Sequence, residues 1–352
     1  MSEQNDATSA MHPAMNASSH TPPTASSSDI TQHVETLAPR IAAAQSAISD
    51  IVLGQEKVIE QVLITILSGG HALLMGAPGL GKTLLVNTAS TVLGLNASRI
   101  QFTPDLMPSD ITGAEILEQD AEGRRSFRFL PGPIFGQLVL ADEINRASPR
   151  TQSALLQAMA EHYITQAGKN YPLPKPFHVL ATQNPVEQEG TYPLPEAQLD
   201  RFMLRITLDY PPRDAERLML LQTTGAVQKQ AEQIFTMNDL ISAQQLVRQL
   251  PVGDRIVDAI LALIRSLRPE DASSSQATRD AITYGPGPRA AQALMIATRA
   301  RALLTGRLSP SLEDVAALAE PVLAHRIGLD FSARARGADI SALVRQQIEA
   351  VL

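Results

Sequence analysis

Eight consecutive residues, Gly76-Ala77-Pro78-Gly79-Leu80-Gly81-Lys82-Thr83, fit the pattern G-x-x-x-x-G-K-[ST]. Their flanks give the pattern its meaning. His71 to Met75 enters as a short apolar run, as a buried strand would, and Leu84 to Ala89 leaves with helix-forming residues. Strand, glycine loop and helix together make a phosphate cradle. Glycines remove Cβ atoms, so successive backbone N–H groups can close around phosphate oxygens. The helix begins with its positive dipole end toward the same anion. Lys82 is placed to reach β- and γ-phosphates, and the Thr83 hydroxyl to ligate Mg²⁺. A glycine turn before an ordinary helix would match the four fixed positions on the order of 1% of the time in a chain this long.

The chain has 352 residues, enough for about two domains, and 44% hydrophobic residues can build a core. A net charge of −7 argues against a nucleic-acid-tracking machine, because phosphate backbones demand basic surface. With no cysteine, disulfides, thiolate metal sites and cysteine nucleophiles are excluded. No apolar run approaches the length of a membrane span, and the first residues lack a basic segment followed by an apolar one. A cytoplasmic protein is expected.

Three segments follow from composition and periodicity. Residues 1–29 are Ser, Thr, Pro, Asn and Ala with few large apolar side chains, the composition of a disordered tail. Residues 30–211 alternate helical stretches with apolar strands at Arg99–Thr103, Gln137–Ala141, Phe177–Thr182 and Phe202–Ile206, with a strong helix at Thr151–His162. Alternation of this kind predicts an α/β fold, a parallel sheet flanked by helices with ligands at the carboxyl ends of its strands. Residues 212–352 read as a smaller all-α lid domain, with helices around 213–224, 238–249, 254–267, 288–304 and 312–325 and a mobile polar loop at Asp271–Thr278.

Five further residues carry chemistry. The apolar run Leu138 to Ala141 ends in Asp142 and Glu143. A nucleotide hydrolase needs such a pair, one acid to hold Mg²⁺ and one to deprotonate the attacking water. Asn184 follows another buried strand, where it could position that water; Asn before Pro is equally a turn signal. Arg201 precedes the last strand and is expected near the sheet end that holds the nucleotide. Arg289 opens a helix of the lid and is expected to close that lid on ATP. Either could be an ordinary surface ion-pair residue, but transferring phosphoryl groups attract arginine clamps.

These residues closely resemble the MoxR family of AAA+ ATPases. The resemblance runs over about 41–352 and rests on ordered matches. They are Gly54-Gln55, the loop Gly76–Thr83, Phe102–Gly113, Gly132–Phe135, Asp142–Ala147, Gln183–Pro185, Gly190–Phe202 and Gly287–Ala290. It implies a P-loop AAA+ fold in which Gly76–Thr83 is Walker A, Asp142 and Glu143 are the Walker B pair, and Glu143 is the catalytic base. It further implies that Asn184 is sensor one, Arg201 a finger acting on the neighbouring subunit, and Arg289 the sensor-two arginine. Residues 105–135 resemble the family's helix-two insertion and 161–177 its hairpin before sensor one; Arg146 and Arg150 could also face a neighbour. ATP and Mg²⁺ as cofactors, a homo-oligomeric ring usually of six subunits, and chaperone-type remodelling are implied too, as is a partner with a von Willebrand factor A domain. The magnesium chelatase motor subunit and a DNA helicase of the same clade share the loop, as does a nucleotide switch with little turnover.

Overall fold

The computed structural model describes residues 27–352, apart from Asp120, Glu122, 186–189 and 225–228. In chain order, helices Ser27–Ser49 (α1) and Glu56–Leu67 (α2) lead into strand Ala72–Met75 (β1) and helix Lys82–Val92 (α3). Strand Ala97–Gln101 (β2), the short helix Pro108–Thr112 (α4) and a hairpin of Gly113–Gln119 (β3) and Arg125–Pro131 (β4) come next. Strand Leu138–Asp142 (β5), helix Pro149–Glu161 (α5) and a second hairpin, Tyr163–Gln166 (β6) with Lys169–Pro172 (β7), precede strand His178–Gln183 (β8). Helix Glu196–Leu199 (α6) and strand Leu204–Thr207 (β9) close the α/β part.

Five of these strands form one parallel sheet in the order β2-β5-β8-β1-β9. Ala72, Leu74, Leu138, Leu140, Leu180, Leu204 and Ile206 point to one face. Leu73, Val139, Ala141, Val179 and Ala181 point to the other, onto Leu155, Leu156 and Met159 of α5. Both faces are covered, which is why the strands read as unbroken apolar runs rather than alternating ones. Truncating such a residue, Leu140→Ala for instance, costs about 2–5 kcal/mol through lost burial and the cavity left. Register is level at the carboxyl ends: Met75 pairs with Gln183 and Thr207, and Gln101 with Asp142.

The remaining chain is mainly helical: Arg213–Thr223 (α7), Met237–Gln249 (α8), Asp254–Ser266 (α9), Gln276–Ala281 (α10), Pro288–Leu304 (α11), Leu312–Leu323 (α12), Phe331–Ala335 (α13) and Ile340–Val351 (α14). Its buried Leu240, Leu294 and Val315 join Ile41 of α1 and Leu63 of α2 in a single apolar cluster, so the helical part is seated on the sheet layer. Arg40 of α1 adds a paired guanidinium–carboxylate contact to Asp239 of α8, both bonds at 2.8 Å.

Several local expectations change. Ser27 to Asp29 belong to α1, not to the preceding segment; the rest of residues 1–29 lies outside the described residues. The second strand starts two residues earlier than its apolar content suggested, because Ala97 and Ser98 pair with Leu138 and Val139. The helical part is not purely α: Ile282–Tyr284 (β10) and Gly328–Leu329 (β11) form a small antiparallel ribbon. Asp271–Thr278 is structured, because its polar side chains serve backbone groups. Asp271 accepts from the Ser273 N–H at 3.0 Å, Ser274 donates to the Ser266 carbonyl at 3.2 Å, and Ser275 caps α10 by accepting from the Thr278 N–H at 3.1 Å.

Candidate functional site

The glycine loop leaves the carboxyl end of β1 and turns into α3. Gly81, the residue before the helix, takes φ 76°, and Gly79 φ 85°; both lie in the left-handed region that side chains rarely enter. Gly76 is required for a different reason. A Cβ there would stand 2.9 Å from both the Cβ and the carbonyl oxygen of Leu208. Lys82 donates from Nζ to the Gly76 carbonyl at 2.7 Å, which holds its ammonium across the loop. Burial pushes the Lys82 pKa down, and the facing Asp142 and Glu143 carboxylates oppose that shift.

Two clefts flank the loop and together take in all eight of its residues. The first, of about 440 Å³, is lined by Pro78, Gly79, Gly81, Lys82 and Thr83 from the loop, and by Arg99, Gln101, Asp142, Glu143 and Asn184 from the ends of three neighbouring strands. The second, of about 340 Å³, is lined by Gly76, Ala77 and Leu80 with Met75, Pro185, Leu208 and Tyr210, and also by Arg205, Thr207 and Asp209. The ammonium, carboxylates and amides gather in the first cleft, as a phosphate chain would need, and the second is the more apolar of the two although Arg205, Thr207 and Asp209 also line it.

The acids are held individually. Asp142 accepts from the Thr182 hydroxyl at 2.6 Å on one oxygen and from Arg99 at 2.7 Å on the other. Glu143 adopts φ 57°, a left-handed conformation costing on the order of 1–3 kcal/mol in a residue with a side chain. Its own N–H donates to the Thr182 hydroxyl at 2.8 Å, and its carboxylate accepts from Gln101 and Arg146, each at 3.0 Å. The strained turn aims Glu143 into the cleft beside Asn184, which is buried to 6% exposure. Thr83 and Asp142 offer the cleft hard oxygen donors. No cluster of three or more His, Cys, Asp or Glu residues that could form a complete metal cage occurs among the described residues. That donor set fits Mg²⁺, which takes one or two protein oxygens and completes its shell with phosphate and water.

The two arginines lie elsewhere, against expectation. Leu204, at the start of β9, pairs with Ala72 at the start of β1. Arg201 is therefore at the amino end of the sheet, a full strand or about 13 Å from the loop at 3.3 Å per residue. It donates to the Leu156 carbonyl at 3.2 Å. Arg289 lines neither cleft; its guanidinium is 3.5 Å from Asp200, beside Arg201. The expectation that Arg201 sits near the nucleotide end fails because a residue preceding a parallel strand stands at the end opposite the one that follows its neighbour; Arg289, expected to close the lid on ATP, stands with Asp200 and not at its own chain's cleft. Arg146 faces its own Glu143 at 3.0 Å.

Arg99, Gln101 and Thr182 were not singled out from sequence. Arg99 and Gln101 fall two apart at the end of one strand, a usable signal, but only the adjacency of β2 and β5 tells which acids they face.

With this geometry established, comparison with known proteins is specific. Residues 71–204 match the ATPase family associated with various cellular activities (AAA), and 274–347 match the AAA lid domain. The chain is 41% identical over 285 residues to Chaperone MoxR1 of Mycobacterium tuberculosis, covering 81% of this chain and 74% of that protein. It is 33% identical over 304 residues to Protein MoxR of Paracoccus denitrificans, covering 81% and 88%. A crystal structure of a provisionally assigned ATPase from Cytophaga hutchinsonii superposes with a TM-score of 0.85 at 37% identity, covering 92% of this chain and 98% of that one.

Proposed function

The chain belongs to the MoxR family of AAA+ ATPases, and from that premise we propose that it hydrolyses ATP at the contacts between copies of itself in a head-to-tail ring. The observation that carries this reading is the division of the catalytic set. Lys82, Thr83, Asp142, Glu143 and Asn184 line one cleft, while Arg201 and Arg289 stand at the other end of the sheet. One chain holds either half of a phosphoryl-transfer site but cannot bring the halves together. A second copy, related by a rotation that closes into a ring, can.

In this reading the loop N–H groups and Lys82 hold the phosphates, and the more apolar cleft beside Leu80 and Leu208 takes the base. Thr83 and Asp142 would hold Mg²⁺, which would supply positive charge to offset the charge developing on the phosphates. Glu143 takes a proton from the attacking water, and Asn184 orients that water toward the γ-phosphate. Arg201 and Arg289, from the neighbour, face the charge that spreads over the γ-oxygens. A ring of six subunits is the family's usual closure. The name of the mycobacterial relative supports coupling of this cycle to chaperone-type remodelling of a protein, for which a von Willebrand factor A domain protein is the candidate partner.

The test is ATP turnover per subunit across a dilution series. It should fall steeply as the ring dissociates, while ATP affinity at the loop stays constant. Turnover per subunit independent of concentration, in a preparation shown to be monomeric, would overturn the proposal.

A further inference from the structure

Arg326 is a buried and heavily engaged charged side chain that the site does not use. It ends a short 3₁₀ turn, Ala324–Arg326, after α12, and its side chain is 4% exposed. Its five N–H donors are all spoken for. Nε donates to the Asp200 carboxylate at 2.8 Å. One terminal nitrogen donates to the carbonyls of Phe202 at 2.7 Å and Asp200 at 3.3 Å. The other donates to the Met203 carbonyl at 3.1 Å and to the Val322 carbonyl of its own helix. The adjacent His325 adds a bond from Nε2 to the Phe202 carbonyl at 2.9 Å.

Apart from Val322, every acceptor of this guanidinium lies on residues 200–203, the segment that carries Arg201. A second feature of the same cluster points the same way. The Asp200 oxygen not used by Arg326 is the one 3.5 Å from Arg289. One carboxylate thus joins an arginine at the start of α11, a buried arginine after α12, and the backbone on either side of Arg201. The end of the segment nearest β9 is also held by the sheet part, through the buried Phe202 ring and the Met203 N–H, which donates to the His71 carbonyl at 2.7 Å; the helical part reaches it through Arg326, His325 and Arg289. Arg201 itself is exposed, and α6, which precedes it, buries none of its residues. A buried guanidinium with every donor satisfied is a rigid fork, which a lysine cannot reproduce.

We propose that Arg326 and Asp200 are positioning residues that lock the 200–203 segment to the helical domain, so that Arg201 and Arg289 are presented as a pair to the nucleotide bound by the next subunit. The proposal rests on the interface reading above and adds to it. The finger segment is thereby tied to the helical part as well as to the sheet, so the Arg326–Asp200–Arg289 contacts fix Arg201 and Arg289 relative to each other where the two parts meet.

The experiment uses full-length Arg326→Lys and Asp200→Asn, with Arg201→Ala as reference. Asp200→Asn leaves the bonds from Arg326 to the segment's carbonyls in place, so it keeps the proposal testable if Arg326→Lys does not fold. Three readouts are taken: kcat, ATP affinity by direct titration, and activity after one-to-one mixing with Lys82→Ala. Each variant should lose at least about tenfold in kcat with ATP affinity unchanged within about twofold. Each should regain activity on mixing, because its intact loop then receives an aligned arginine pair from a loop-dead neighbour. Asp200→Asn combined with Arg201→Ala should lose clearly less than the product of the two single losses, because the Arg201 part of the effect is shared and only the Arg289 part remains. Normal kcat in a folded variant overturns the proposal. So does a loss that mixing does not repair while Arg201→Ala is repaired, since that is the behaviour of a domain staple. If Arg201→Ala itself is not repaired, the interface reading fails and the proposal falls with it.

Discussion

Acidification should unfold this protein through histidines that have no part in its chemistry. His71 and His178 sit at the amino end of the sheet, 6% and 1% exposed. His71 accepts at Nδ1 from the Val179 N–H at 3.0 Å. His178 donates from Nδ1 to the Gly70 carbonyl at 2.9 Å, and its Nε2 lies 3.1 Å from the Gln244 amide, which also donates to the Ile66 carbonyl at 2.8 Å. Each ring is held neutral because a protonated one would turn an acceptor into a donor facing another donor. Burial lowers the His71 pKa from 6.5 to about 3 and the His178 pKa from 6.5 to about 4. Burial also pushes His325 well below its ordinary value. The sign follows from the depressed folded values. The unfolded chain binds the proton more readily, so stability is complete above pH 6.5 and declines as pH falls below it. Working the linkage for His71 and His178 between about pH 7.5 and about pH 5 gives about 2 kcal/mol each, or about 4 together. Asp239, whose carboxyl the Arg40 guanidinium holds well below the usual carboxylate range, keeps its contribution through this window. Urea unfolding at the two pH values measures the difference. In His178→Asn, whose amide can keep the bond to Gly70, the pH-dependent loss should shrink by about 2 kcal/mol, whatever the variant's stability at pH 7.5. Equal pH slopes in wild type and variant would refute the reasoning.

Two substitutions in the cleft should separate binding from chemistry. Lys82→Ala removes the ammonium held over the loop and should abolish measurable ATP binding by direct titration; near-normal affinity would remove the loop assignment. Glu143→Gln keeps the side chain's shape but cannot take a proton, so hydrolysis should drop by about 10² to 10⁴ while ATP still binds. Turnover within a few-fold of wild type in that variant would place the base elsewhere.

How much of this was readable in the sequence depended on whether a signal is local. The loop, its strand and its helix are contiguous, and Gly81 and Lys82 announce a backbone shape and a charge within one short segment. Asp142 and Glu143 were readable because their strand is apolar up to its last residue. Partners supplied by sheet order were not readable. Arg99 and Gln101 meet Asp142 and Glu143 only because β2 lies beside β5, although 42 residues separate Gln101 from Glu143. Arg201 shows the reverse error. Its place before the last strand was visible, but in a parallel sheet that place is the end away from the loop. The polar run at 271–278 misled because serines that cap a helix and serines in a solvated loop look alike until the backbone they serve is known.

The central claim is that the site is completed by a neighbour, and one measurement addresses it directly. Arg201→Ala and Lys82→Ala should each be nearly inactive, the first still binding ATP; an arginine finger contributes about 10³ to 10⁵ in rate in related phosphate chemistry. Mixed one to one with free subunit exchange, about a quarter of the contacts in a head-to-tail ring pair an intact loop with an intact finger. ATPase activity should then rise far above both parents, toward about a quarter of wild type. A flat mixing curve between subunits shown to have exchanged would contradict the claim and leave Arg201 as a local contact to Leu156.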